Sequence, residues 1–395
     1  PSVALAWRLS EENFMKRQNF VSNLKLRAGW GKTGNSAIDP YMTKGGLALS
    51  KYVWDNGASE VLGYAPKIMA NSELTWETTK QWNVGVDFGF FNNRLSGTVD
   101  LYFQHTSNLL LERQIPVVSG FGSVLSNVGE TKNKGIEISL SSLNINTKSF
   151  QWTTDVMFYA NKESIESLYN GKIDDVGNKW FIGHPINVHY DYEKVGIWQN
   201  TPEDLDEMEK FNKNGASFKP GDIKIWDNGD KKITEADRKI LGSTSPKFIA
   251  SMVNSISYKN FDFSIFLYAS VGAMLNNNIE YLNKPGRANS IVIDYWTPTN
   301  PTNAFPRPSV DNASPAYVKS LQYEKADFLR VRNITLGYTL PGNLLKRIHA
   351  HKIRVYLSAN NPFIITGFSG IDPEGARGYT APSASTWMGG VNLSF

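Results

Sequence analysis

The 395-residue chain contains no cysteine, which removes any disulfide framework and any thiolate chemistry. It has no apolar run near the ~18 residues that a membrane-spanning helix requires. Its 41 basic and 37 acidic residues are mixed along the chain, so no basic block offers nucleic acid an electrostatic footprint. Mean hydropathy is negative. That value does not exclude a membrane, because strands alternating apolar and polar residues conceal their greasy face from a window average. The first residue is Pro1, with no charged-then-apolar leader before it, and the expectation is a piece of a longer protein.

What the chain has instead is alternation. In TWETTKQWNVGVDFGF, residues 75 to 90, Trp82, Val84, Val86, Phe88 and Phe90 share one face, and Gln81, Asn83, Gly85, Asp87 and Gly89 share the other. A strand changes face at every residue, so this is a β-strand with one apolar and one polar side. Asn92-Asn93 is a turn signal, after which Leu95, Val99, Leu101 and Phe103 resume the apolar phase. The polar face is too heavily charged for the exterior of an ordinary sandwich, which leaves a barrel with lipid outside and water inside. On that reading Val86→Arg is heavily penalised and Gly85→Ser, on the watery side, is mild.

The same pattern returns along the chain, at Val3 to Leu9, Leu24 to Trp30, Ile136 to Leu140, Trp152 to Phe158, Phe248 to Ile256, Phe261 to Leu267, Ile334 to Tyr338, Ile353 to Leu357 and Thr386 to Phe395. The connections are short at about 11–21, 91–93, 144–149, 259–260 and 341–350, and long between them. Strict alternation of short and long connections is expected of an antiparallel up-and-down transmembrane β-barrel with short periplasmic turns and long extracellular loops. About eleven strands is an odd number, so the all-β chain is expected to form the C-terminal half of a barrel of about twenty-two, the size of plugged transporters. The largest extracellular loops are expected at 161–245 and 276–316, the former holding a short helix at Pro202 to Lys210.

Candidate sites are few. Gly31-Lys32-Thr33 echoes a phosphate loop, but Leu26 stands where that motif needs a glycine, and a glycine-rich strand end accounts for it better. Asp227, Asn228, Asp230 and Asp237 around Gly229 offer the oxygen ligands a calcium ion wants. The turn is one residue short, with Lys231 in the place of the kinking glycine, and a solvated Asn-Gly turn fits the same residues. No other cofactor is expected. Glu203, Asp204, Glu207 and Glu209 read as the solvated face of the short helix rather than as an acid and base pair, and no enzyme is indicated. Trp180, Trp198, Trp226, Tyr295 and Trp296 lie in the long loops, where ring faces can stack on sugars or peptide side chains or can pack the loops together.

A family resemblance rests on LKLRAGWGKTGN, NSELTWETTKQWNVGVDFGFFNNRLSGTVDLY, NVGETKNKGIEISL, PGDIKIWDNGDKKITEADRKILGSTSPKF, YKNFDFSIFL, DYWTPTNPTNAFPRP, KADFLRVRNITLGYTLP and MGGVNLSF, closing on Phe395. In this order they resemble the SusC/RagA family of TonB-linked outer-membrane proteins. The resemblance implies a 22-stranded barrel in the outer membrane of a Gram-negative bacterium, with a plug and TonB box in a region absent from this chain. It further implies a SusD-like lipoprotein partner and an oligosaccharide or peptide substrate. Two other readings stay open from the residues, a secreted β-rich carbohydrate-binding or glycan-cleaving module and a passive porin.

Overall fold

The structure is a computed structural model describing residues 1–36, 41–54, 57, 59–277, 292–308, 315–345, 350–374 and 383–394. Contacts gather into two units, residues 1–142 with 157–186 and residues 143–156 with 187–395, and these are taken in turn.

In the first unit, β1 (Ser2–Arg8) is followed by β2 (Val21–Asn35), the hairpin β3 (Gly46–Trp54) and β4 (Ser59–Ile68), then β5 (Glu77–Phe90) and β6 (Leu95–Ser107). A second small hairpin, β7 (Leu110–Gln114) and β8 (Ser123–Asn127), precedes β9 (Glu130–Asn146) and β10 (Phe150–Ser167), whose residues 143–146 and 150–156 belong to the second unit. In the second unit come β11 (Val188–Tyr192), β12 (Lys194–Ile197), α1 (Pro202–Lys213), β13 (Ile223–Ile225) and β14 (Arg238–Ser243). They are followed by β15 (Phe248–Tyr258), β16 (Phe261–Val271), β17 (Met274–Asn276), β18 (Tyr323–Lys325), β19 (Phe328–Thr339), α2 (Gly342–Leu345), β20 (Lys352–Thr366) and β21 (Thr386–Ser394). Eleven strands form one sheet in the order β1-β2-β5-β6-β9-β10-β15-β16-β19-β20-β21, each beside its neighbours along the chain. The strand count and the up-and-down order are those expected from the alternation.

Register explains why the alternation persists. Ala28, Val84, Leu101 and Ile136 lie opposite one another on consecutive strands, as do Leu26, Val86, Val99 and Ile138. Val84 and Leu101 are exposed although apolar, as side chains facing hydrocarbon must be. Aromatic rings bound this band at both ends. Trp30 and Trp82 meet at 6.2 Å toward the long loops, and Phe88 and Phe90 at 5.3 Å toward the short turns. The rise from Trp82 to Phe90 is roughly 27 Å along the strand, comparable with a transmembrane apolar band of about 25 Å. The second unit repeats the pattern, with Phe263, Leu336, Leu357 and Gly389 in one row and Ile265, Ile334, Ala359 and Trp387 in the next.

The opposite face carries paired charges. Arg27 donates to Asp87 at 2.8 Å and to Asp100 at 2.9 Å, lying across Gly85, which sits between Arg27 and Asp100 in the register. In the second unit Arg354 donates to Asp262 at 2.9 Å across Gly337. Tyr102 and Tyr356 lie over Gly135 and Gly390 in the same manner. A Cβ added at Gly85 would fall inside contact distance of both Asp100 and Arg27. The atoms it would meet are the ends of the flexible Asp100 and Arg27 side chains, so Gly85→Ser requires this ion cluster to shift and leaves the backbone around it in place.

One other expectation is corrected, and two are filled in. The expected loop at 161–245 begins later, since β10 runs to Ser167 and both its faces are polar there: Tyr102 donates to Asn161 on one, and Lys132 meets Glu166 at 2.6 Å on the other. The long connections contain structure of their own, namely the hairpins β3-β4 and β7-β8 and the paired strands β11-β14 and β12-β13. Gly31, Lys32 and Thr33 are strand residues paired with Gln81, Lys80 and Thr79, the glycine-rich strand end expected of them. The expected loop at 276–316 falls partly outside the described residues, as does Phe395.

Val86 lies midway between the aromatic ends. We expect Val86→Arg to destabilise the full-length protein in phospholipid vesicles by about 2 to 4 kcal/mol, with Asn83→Ser on the polar face within about 0.5 kcal/mol of wild type. Equal tolerance of the two in an equilibrium unfolding titration would remove lipid from the apolar face.

Candidate functional site

The longest connection in the second unit folds into a small body. Its helix α1 starts at Thr201, whose hydroxyl accepts from the Asp204 amide at 3.3 Å, with Pro202 in the first turn, Glu203 and Asp204 near the positive end and Lys210 and Lys213 near the negative end. One face of α1 buries Met208 and Phe211 against Trp198, with Phe218 and Ile233 packed beside them. A second core gathers Ile197, Ile223, Ile225, Trp296, Val318 and Leu321.

This placement separates the five aromatic candidates. Trp198 is 1% exposed and Trp296 5% exposed, so their faces are occupied by protein and they act as loop core. Trp296 donates its indole N–H to Gln199 at 2.8 Å, which ties residues far apart in sequence. Trp226 is half-buried under the Lys239 ammonium, 4.0 Å from its ring. Tyr295 is exposed and forms a bridge with Phe305. Trp180 belongs to the first unit, where it bridges to Asp175.

Two of the helix carboxylates serve a half-buried cation. The Lys224 ammonium donates to Asp204 at 2.9 Å and Glu207 at 2.7 Å while lying 4.2 Å over the Trp198 ring. The hydrogen bond from Lys224, followed by its charge and that of Lys231, outweighs burial and holds the Glu207 carboxyl below its usual range. Burial disfavours the charged form of Lys194, whose ammonium donates to the carbonyls of Asn303 and Ala304.

Asp227, Asp230 and Asp237 do come together, each offering an oxygen within 4.8 Å of the others. Their oxygens are largely used by the turn itself. Fully buried Asp237 accepts from the amides of Asn228 and Thr234, Asp230 accepts from Lys232, and the Asn228 side chain accepts from the Asp230 amide. Lys231 takes the left-handed conformation, φ 59°, that a kinking glycine would supply. Its ammonium lies 3.5 Å from Asp227 and 3.3 Å from Glu207, which puts a cation of the protein's own beside the carboxylates.

An open cleft of about 490 Å³ runs along this body, and its most informative lining residues are Phe218, Lys219, Asp222, Arg307 and Tyr317. Arg307 donates to Asp222 at 2.9 Å, and the Phe218 and Tyr317 rings stand 6.2 Å apart. Asn212 fixes one wall by exchanging hydrogen bonds with the Phe218 backbone. The arrangement can receive a polar chain, with charge for carboxylates or hydroxyls and rings for apolar faces. None of these five was singled out by sequence reasoning. They come from segments far apart, and only the proline-flanked Arg307 hinted at a fixed position.

Comparison with known proteins decides what kind of body carries these loops. Residues 1–361 match the family model described as TonB dependent receptor-like, beta-barrel. The chain belongs to this family. It is 35% identical over 390 residues to TonB-dependent receptor P3 of Formosa agariphila, covering 95% of this chain and 38% of that protein. It is 34% identical over 418 residues to TonB-dependent receptor SusC of Bacteroides thetaiotaomicron, covering all of this chain and 40% of that one. A solved structure of the RagAB peptide transporter superposes with a TM-score of 0.80 at 26% identity, covering 100% of this chain and 43% of the matched chain. The chain thus spans well under half the length of these relatives. Membership bears out the SusC/RagA resemblance, the barrel fold and the outer-membrane location, and it sets aside the secreted module.

Two outcomes follow from the loop body. Trp198→Ala and Trp296→Ala should each destabilise it by roughly 3 to 5 kcal/mol, seen as lost hydrogen-exchange protection in residues 197–225 with the sheet strands unchanged. Retained protection would return these rings to a role in contact. Glu207 has a depressed folded pKa, so its stabilisation is complete above the ordinary value of 4.5 and is lost as pH falls below it. Protection of α1 should therefore hold from pH 7 to 5 and decline in more acid solution, and Glu207→Gln should remove that Glu207-linked part of the decline.

Proposed function

We propose that the complete protein imports oligosaccharides or peptides across the outer membrane, energised through TonB by a region outside this chain and assisted by a SusD-like lipoprotein. Similarity over the whole chain to SusC and to the RagAB peptide transporter carries this reading. The folded body on the long connections supports it, because recognition needs a shaped surface and the short turns, such as Asn92-Asn93, have too little chain to make one. The cleft beside Arg307 and Tyr317 is where a glycan or peptide is met.

Uptake should cease when TonB is deleted. Uptake that persists without TonB would make the protein a passive porin. In the TonB-competent strain, Arg307→Ala should raise the half-saturating substrate concentration roughly tenfold, the effect expected of a lost charged hydrogen bond, with unchanged protein in the outer membrane. An unaltered uptake curve would place recognition elsewhere on the loops.

A further inference from the structure

The lipid-facing side of the first unit ends in a row of basic side chains, three lysines and a histidine, that folding alone does not need. Lys32, Lys80, His105 and Lys132 lie directly opposite one another on β2, β5, β6 and β9, one pleat beyond the row of Trp30, Trp82 and Phe103. Lys134 stands opposite Phe103 itself. Cations facing each other across strands are destabilising. Carboxylates relieve only part of the row, Glu130 reaching His105 at 2.9 Å and Glu166 reaching Lys132 at 2.6 Å. Among the described residues no ion pair involves Lys32, Lys80, Lys134 or Lys162.

Lys80, Lys132, Lys134 and Lys162, with Glu166 among them, border a cavity of about 570 Å³ that the rings of Trp82 and Phe103 also line. The other end of the same face is different. Leu24, Phe88, Gly97 and Leu140 form one row there, and Phe90, Leu95 and Ser142 the next, with no lysine or arginine among them. The basic end is the one from which the long connections leave, hence the outer leaflet.

We propose that this rim is a docking surface for the phosphorylated glycolipid of the outer leaflet, its phosphates held by Lys80, Lys134 and Lys162 and its acyl chains lying on Val84, Leu101 and Ile136. Charge complementarity and depth select this occupant. A phosphate at headgroup level meets ammonium groups, the aromatic rings mark the interface, and the apolar rows below match the chains. The phosphates also supply the counter-charge that Lys32 and Lys80 lack, so the lipid would hold β2 and β5 together at the end where these two lysines face each other. The proposal is independent of what the protein transports.

The test uses the full-length protein purified from outer membranes in mild detergent, with bound lipid counted by native mass spectrometry. Each lysine near an anionic surface changes binding by about fivefold. The Lys80→Gln, Lys134→Gln, Lys162→Gln triple variant should therefore retain bisphosphorylated lipid A at least about tenfold less well than wild type. Wild type should prefer bisphosphorylated over dephosphorylated lipid A by a similar factor, a comparison that stands even if the variant fails to assemble. Equal retention of the two lipids, or by the two proteins, would leave the row a solvated edge and overturn the proposal. Displacement of the lipid by millimolar inorganic phosphate would also overturn it, by identifying a site for the free anion.

Discussion

Hydrocarbon cannot hydrogen-bond, and every peptide group within the apolar band must find its partner in a neighbouring strand. That constraint orders the rest. It puts each sheet strand beside its chain neighbours, fixes registers such as Val86 opposite Val99, and makes the outward residues apolar wherever the sheet meets lipid. It also confines charge to the other face, where Arg27 can satisfy Asp87 and Asp100 together. Beyond the aromatic rows water returns, backbone groups are free to leave the sheet, and the chain spends its longest excursions there.

The sheet was legible because its two faces meet different solvents. From Trp82 to Phe90 every second residue reports lipid, and a period of two is a strong signal. Legibility fails where both faces are wet. Asn161 to Ser167 continue β10 with Lys162 and Glu166 outside and Asn161 inside, so a strand there reads as the start of a loop. The hairpins β3-β4 and β7-β8 were lost inside long connections for a similar reason, since neither belongs to the large sheet whose pattern guided the reading.

Depth was the other missing quantity. Trp198 and Trp296 carry no mark in the sequence that separates a displayed ring from a buried one, and burial depends on Met208, Phe211, Val318 and Leu321 arriving from elsewhere in the chain. The cleft was hidden for the same reason: Asp222 and Arg307 meet only because β12, β13 and the Trp296 segment share a core. The acidic turn shows the reverse case. Its carboxylates converge as their spacing suggested, while the reach of Lys231 into them depends on a backbone conformation that composition does not announce.

The glycines beneath Arg27, Tyr102, Arg354 and Tyr356 change the texture of the inner wall. A side chain laid across a glycine runs along the sheet instead of standing out from it, so long residues add little relief. At these four places the watery side presents guanidinium and phenol groups laid along the sheet, rich in hydrogen-bonding capacity yet shallow in profile. Where a glycine lies beneath, the relief of that side is set by the thickness of a ring or a guanidinium plane and not by the length of the side chain.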